Sequence, residues 1–301
     1  LIGARMAQAR LDRNEQFNGW AFVMPALVLL GIFMIYPILW SLWMSFQVGR
    51  GNSFSFGGFA NIQRLANDAL LIQALTNTII FFIIQVPIMI VLALLFAVAL
   101  NDPLLRMRGV FRTLLFLPCV TSLIAYSSLF KSMFSNDGVI NQALMNLHII
   151  GAPIPWLTDP FWAKVVIISA ITWRWTGYNM IFYLAALQNV DKSIYEAARI
   201  DGVPAWARFW KITVPMLKPV ILFTTILSTI GTLQLFDEVN NITQGGPGNG
   251  TMTLSLYIYN LTFRMMPSFG YSALVSWVIV LIVAVLSIMQ FFIARDRRRA
   301  S

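Results

Sequence analysis

The recurrence of long apolar runs constrains this chain more than anything else in it. They fall at about 20–46, 76–100, 111–133, 161–187, 217–236 and 270–293. Crossing about 30 Å of hydrocarbon takes roughly 20 mostly apolar residues as helix, so each run is long enough to span a bilayer. None alternates as a barrel strand does, and inside lipid only helices then satisfy their own backbone hydrogen bonds. The expected fold class is all-α, a polytopic membrane protein of six transmembrane helices. A composition of 58% hydrophobic and 11% charged residues, with a mean hydropathy of +0.73, argues against an ordinary water-soluble domain. The first run contains Pro25 and Pro37, exceeds a signal-peptide core and lacks an obvious small-residue cleavage site, so it is expected to be retained as a span.

Basic residues orient the chain. Arg5, Arg10, Arg13, Arg106, Arg108, Arg112, Lys192, Arg199, Arg208, Lys211, Lys218, Arg295, Arg297, Arg298 and Arg299 fall at the ends and in the even-numbered loops. Only Arg50, Arg64, Lys131, Lys164, Arg174 and Arg264 lie on the other side or within spans. Both termini are therefore expected to be cytoplasmic, and this asymmetry accounts for the net charge of +9 without invoking nucleic acid. The expected organisation is a cytoplasmic segment at 1–19, one membrane domain at 20–293 and a cytoplasmic basic tail at 294–301. Cys119 and His148, each the sole residue of its kind, rule out an intramolecular disulfide and argue against a zinc site, so no metal is expected.

Three outer loops, at about 47–75, 134–160 and 237–269, are too short to hold a ligand-capturing domain. The third contains QGGPGNG, a tract that requires tight turns or positive φ. It lacks the lysine of a phosphate-binding loop, and no such loop occurs elsewhere in the sequence, so the tract is not expected to bind nucleotide.

The inner loop between runs four and five, at about 190–216, is polar but strongly patterned. Ser193 followed by Glu196 fits a capping box opening a helix at about 194–201, Gly202 ends it, and Pro204 suits the first turn of a second helix. Pro215 and Pro219 predict a bend before the fifth span. On physical grounds alone, this hairpin is either an interfacial connector or an element built to be held by another protein.

Glu196, Ala197, Ala198, then Gly202, Ile212 and Pro215 at their spacing resemble the EAA signature of permease subunits of binding-protein-dependent ABC importers. Val214 stands where leucine is usual, and Asp191 where proline is frequent. LPCV at 117–120 and TQGGPGN at 243–249 extend the resemblance to the carbohydrate-uptake branch, which includes maltose, glycerol-phosphate and lactose permeases. The resemblance implies that Glu196, Ala197, Ala198, Asp201 and Gly202 dock on a cytoplasmic ATPase, present in two copies, that binds ATP and Mg. It also implies a second permease, an extracytoplasmic sugar-binding protein and a bacterial inner membrane. This chain would hold no cofactor and no catalytic residue.

Polar residues at helical spacing mark a possible pathway. Run five carries Thr225, Ser228 and Thr232, with Gln234, Asp237 and Glu238 towards its outer end. Run four carries Arg174, Trp175, Tyr178 and Asn179, and run three carries Thr121, Ser122, Tyr126, Ser128 and Lys131. Hydroxyls, an amide and aromatic faces together suit a neutral sugar. Hydroxyls also glue helices together, and Thr121, Ser128 and Thr225 fit that reading. Trp175, Tyr178, Asn179, Ser228, Thr232 and Gln234 are the pathway candidates. Maltose-type relatives have a small residue where Trp175 stands. Arg174 is either a pathway residue or half of a packing ion pair, and Asp237 and Glu238 are placed at the outer lip. An ion-coupled secondary transporter is the competing class, and it would call for buried ionisable groups at midspan.

Overall fold

A computed structural model describes residues 18–51 and 53–296. Nearly all of the expected segment 1–19, the end of the tail, and the charges Arg5, Arg10, Arg13, Arg297, Arg298 and Arg299 lie outside the described residues. The described residues are mostly helical, and the strands among them form one short antiparallel pair, Gln47–Val48 with Ser55–Phe56. Four helices are long and apolar enough to cross a membrane: α1 (Asn18–Met44), α3 (Ala69–Asn101), α9 (Ala205–Leu233) and α12 (Phe269–Ala294). A short α2 (Ala60–Ala66) precedes α3.

Two expected runs take other forms. Run three is broken into α4 (Arg108–Val120) and α5 (Leu123–Met133), bent by 99°. Pro118 removes an amide donor in the last turn of α4, Thr121 and Ser122 are extended, and the Thr121 hydroxyl donates to the Pro118 carbonyl at 2.7 Å. Run four is the 29-residue α7 (Pro160–Gln188), long enough to span but more polar than the other four. Between α5 and α7 lies a short α6 (Val139–Asn146).

Run two begins earlier than expected. The Asp68 carboxylate accepts from the Leu70 and Leu71 amides, both at 3.1 Å, and caps a helix of 33 residues. That carboxylate also receives the hydroxyls of Tyr257 (2.5 Å) and Tyr271 (2.6 Å), and Arg64 lies 3.8 Å over the Tyr271 ring. The network ties the start of α3 to α11 (Leu254–Tyr259) and α12.

Packing centres on α3 and α7, with the larger core built from Phe81, Ile167, Ile171, Val239, Leu256 and Val275. A second core holds Ala93, Ala97, Met180, Tyr183 and Leu217. Small residues let helices approach closely. At Gly177 an added Cβ would lie 1.8 Å from the Leu115 carbonyl oxygen, so α4 crosses α7 backbone to side. Buried hydroxyls link neighbours: Tyr183 and Thr224 share a 2.6 Å hydrogen bond, and Gln290 donates to Thr229 at 2.8 Å.

Candidate functional site: a central cavity and a helical hairpin

A cavity of about 360 Å³ opens between α3, α7, α9 and the short α10 (Asp237–Ile242). Helical spacing puts Arg174, Trp175, Tyr178 and Asn179 of α7 on its wall, and Leu227, Ser228, Gly231 and Thr232 of α9 opposite. Gln234 and Glu238 close one end. All six pathway candidates line this one space. Thr225 and Thr121 lie outside the cavity lining, and their hydroxyls bond within their own segments, to the Ile221 carbonyl at 2.6 Å and the Pro118 carbonyl at 2.7 Å, rather than to a neighbouring helix. Ser122, Ser128 and Lys131 are exposed and do not line the cavity.

The wall mixes π surface with under-used polar groups. Trp175 and Tyr178 meet edge to face at 5.7 Å, and Tyr178 meets Phe182 at 5.1 Å. Thr232 donates to Gln85 Oε1 at 2.9 Å. The amides of Gln85 and Asn179 both turn towards Met89 Sδ, a weak acceptor, at 3.3 and 3.5 Å, and Asn179 also donates to the Trp175 carbonyl at 3.0 Å. Gln85 and Met89 are cavity residues that sequence reasoning missed. The available signal was a carboxamide inside an apolar run, two residues before Pro87.

Asp237 and Glu238, paired at the outer lip in the sequence reading, differ in their surroundings. Asp237 is exposed, but Glu238, the second residue of α10, is buried and faces Arg174. Arg174 Nη1 lies 3.9 Å from Glu238 Oε1, with side-chain exposures of 13% and 7%. Burial pushes the Glu238 carboxyl up, while its own backbone amide and Arg174 oppose the shift. The guanidinium sits 4.9 Å over the Tyr126 ring.

The second site is the hairpin. Here Asp191, rather than Ser193, caps α8 (Lys192–Ile200), accepting from the Ser193 amide at 2.9 Å. That hydrogen bond holds the Asp191 carboxyl below its usual range. No capping box forms, since Ser193 falls inside the first turn, and the Glu196 side chain is left exposed. Among the described residues Glu196 has no hydrogen-bond or ion-pair partner. Gly202 adopts φ +70°, and the Val203 and Gly202 amides return to the Ala198 and Arg199 carbonyls at 3.0 and 3.1 Å. Glu196, Ala197, Asp201 and Gly202 are exposed, and Ala198 is buried. The expected bend at Pro215 is absent as a break. A π turn at Phe209–Thr213 precedes Pro215, and α9 runs on from the hairpin as one 29-residue helix. Tyr195 and Thr213 share a 3.0 Å hydrogen bond that fastens the two arms.

QGGPGNG takes the turns expected of it. Gln244, Gly245, Gly248 and Asn249 all have positive φ, and Asn77 of α3 donates to the Asn249 carbonyl at 3.0 Å. The tract is a packed loop.

Comparison with known proteins agrees with this architecture. The family described as binding-protein-dependent transport system inner membrane component matches residues 56–299. The lactose transport system permease protein of Rhizobium radiobacter is 66% identical over 297 residues, covering 98% of this chain and 100% of the relative. The arabinooligosaccharides transport system permease protein of Halalkalibacterium halodurans is 34% identical, covering 93% and 88%. A bacterial ABC transporter involved in import of the acidic polysaccharide alginate contains a chain of the same fold. That chain has a TM-score of 0.83 at 21% identity, with 96% of this chain and 99% of that one covered.

Proposed function

We propose that this chain, which belongs to the family of binding-protein-dependent transport system inner membrane components, forms one half of the translocation pathway of an ATP-driven sugar importer. The observation that carries the reading is the convergence of Trp175, Tyr178, Asn179, Ser228, Thr232 and Gln234 on one cavity. Aromatic faces with hydroxyl and amide groups around them suit a pyranose, which offers C–H faces and a polar rim. The 66% identity to a lactose permease makes lactose the first substrate to test.

In this reading a second permease completes the pathway, and an extracytoplasmic sugar-binding protein delivers the sugar. Two copies of a cytoplasmic ATPase bind ATP and Mg and perform the hydrolysis. Glu196, Ala197, Ala198, Asp201 and Gly202 form the surface that meets the ATPase, in a bacterial inner membrane with both ends of the chain cytoplasmic. The continuity of the hairpin with α9 supports the coupling role, because displacement of its exposed face is transmitted along one helix to Ser228 and Thr232.

Uptake of radiolabelled lactose into proteoliposomes holding the chain with its partner subunits tests the reading. Accumulation is expected only with ATP inside and the binding protein outside. Uptake driven by a proton or sodium gradient without ATP would instead establish the ion-coupled class.

A further inference from the structure

The Arg174–Glu238 pair is incomplete as an ion pair. A charge-assisted hydrogen bond closes to about 2.8 Å, whereas these two groups stand 3.9 Å apart. Arg174 Nε and Nη1 are buried with no hydrogen-bond partner, as is the hydroxyl of Tyr126, whose ring lies beneath the guanidinium. Buried polar groups ordinarily find partners, so three orphaned donors around one end of a cavity call for an explanation. The cavity adjoins them, since Arg174 and Glu238 both line it beside Trp175 and Gln234, although the orphaned atoms themselves are closed off from it.

We infer that Arg174 and Glu238 are a specificity-determining pair that reads a sugar hydroxyl and rejects charged substrates. The inference rests on the importer reading and adds to it the charge class of the cargo. A hydroxyl both accepts and donates, so one entering the cavity can bridge the two groups once the guanidinium turns its closed-off Nη1 towards the 3.9 Å gap. It then accepts from the guanidinium and donates to the carboxylate, completing both without breaking the pair. A carboxylate ligand can only accept. Drawing Arg174 to itself, it strands Glu238 as an unpaired buried charge, and an ammonium ligand strands Arg174 in the same way. The pair thus favours neutral, hydroxyl-rich cargo, in contrast to the acidic polysaccharide of the structurally similar importer.

The test uses the reconstituted importer with lactose, and direct binding of lactose and of its C1-oxidised carboxylate, lactobionate, to the solubilised permease–ATPase complex without binding protein. Arg174→Met with Glu238→Leu removes both charges together and leaves neither one stranded. Lactose imported per ATP hydrolysed is expected to fall about tenfold in this double variant. Glu238→Gln keeps the volume and one acceptor. It is expected to narrow the preference of the complex for lactose over lactobionate by about tenfold. An unchanged import ratio in the double variant, or an unchanged preference in Glu238→Gln, overturns the inference. Failure of the importer reading is distinct, because the unsubstituted chain would then show no ATP-dependent lactose uptake at all.

Discussion

Two single residues carry testable consequences apart from the cavity. Gly202 ends α8 in the left-handed region at φ +70°, with open space where a Cβ would be. Gly202→Ala therefore meets no clash and exposes the backbone cost alone, about 1–2 kcal/mol. Hydrogen exchange of the Val203 and Gly202 amides, which close the turn, is expected to accelerate about tenfold or more. Asp68 is the opposite case, an acid whose worth lies in its partners. Burial works against its charge, but Tyr257, Tyr271 and the Leu71 and Leu70 amides together hold the carboxyl below its usual range. The sign follows from linkage: stabilisation is present above the unfolded carboxylate range and is lost as pH falls through the lower folded value. Asp68→Ala removes the cap and both tyrosine bonds, at a cost on the order of 3 kcal/mol. In detergent its melting temperature is expected to fall, and to lose the acid sensitivity of the unsubstituted chain.

Elements show where sequence patterns were legible. Apolar length marked every long helix, because a backbone in lipid has no other way to pair its polar groups. The pattern did not mark the 99° break in run three, since Pro118 is tolerated in many helices and only the extended Thr121 and Ser122 make it a corner. Nor did it show that the proline-rich start of run five stays helical, because a π turn upstream absorbs the irregularity. The crossing at Gly177 gives a prediction at this scale. Gly177→Ala drives a methyl into the Leu115 backbone, which cannot move as a side chain can. Overpacking of this kind costs about 1–3 kcal/mol or more, and Trp173 and Tyr126 nearby should report it as altered near-ultraviolet circular dichroism. A variant melting like the unsubstituted protein would mean that α4 slides freely on α7.

For the whole molecule, the proposed importer function requires that the exposed face of the hairpin be held while the cavity opens and closes. Glu196→Lys reverses the one acidic side chain on α8, exposed and without a partner among the described residues. It is expected to abolish co-purification of the ATPase and ATP-dependent uptake while leaving membrane insertion intact; normal association and uptake would remove Glu196 from the docking surface. At the cavity, Tyr178→Ala deletes one stacking face and is expected to lower the lactose transport rate about tenfold, with ATPase association preserved.

The sequence by itself determined the helical class, the polar faces of runs four and five, and the hairpin with its glycine joint, because each depends on residues within a few turns of one another, although the cap fell to Asp191 rather than Ser193. Tertiary structure decided which of those faces meet. Thr232 bonds Gln85 across 147 residues, and Glu238 turns inward to Arg174. Helical periodicity gives the direction of a side chain from its own axis but carries no information about the neighbouring helix. Only close crossings such as that at Gly177 fix the neighbour, and with it the chemistry of the cavity between them.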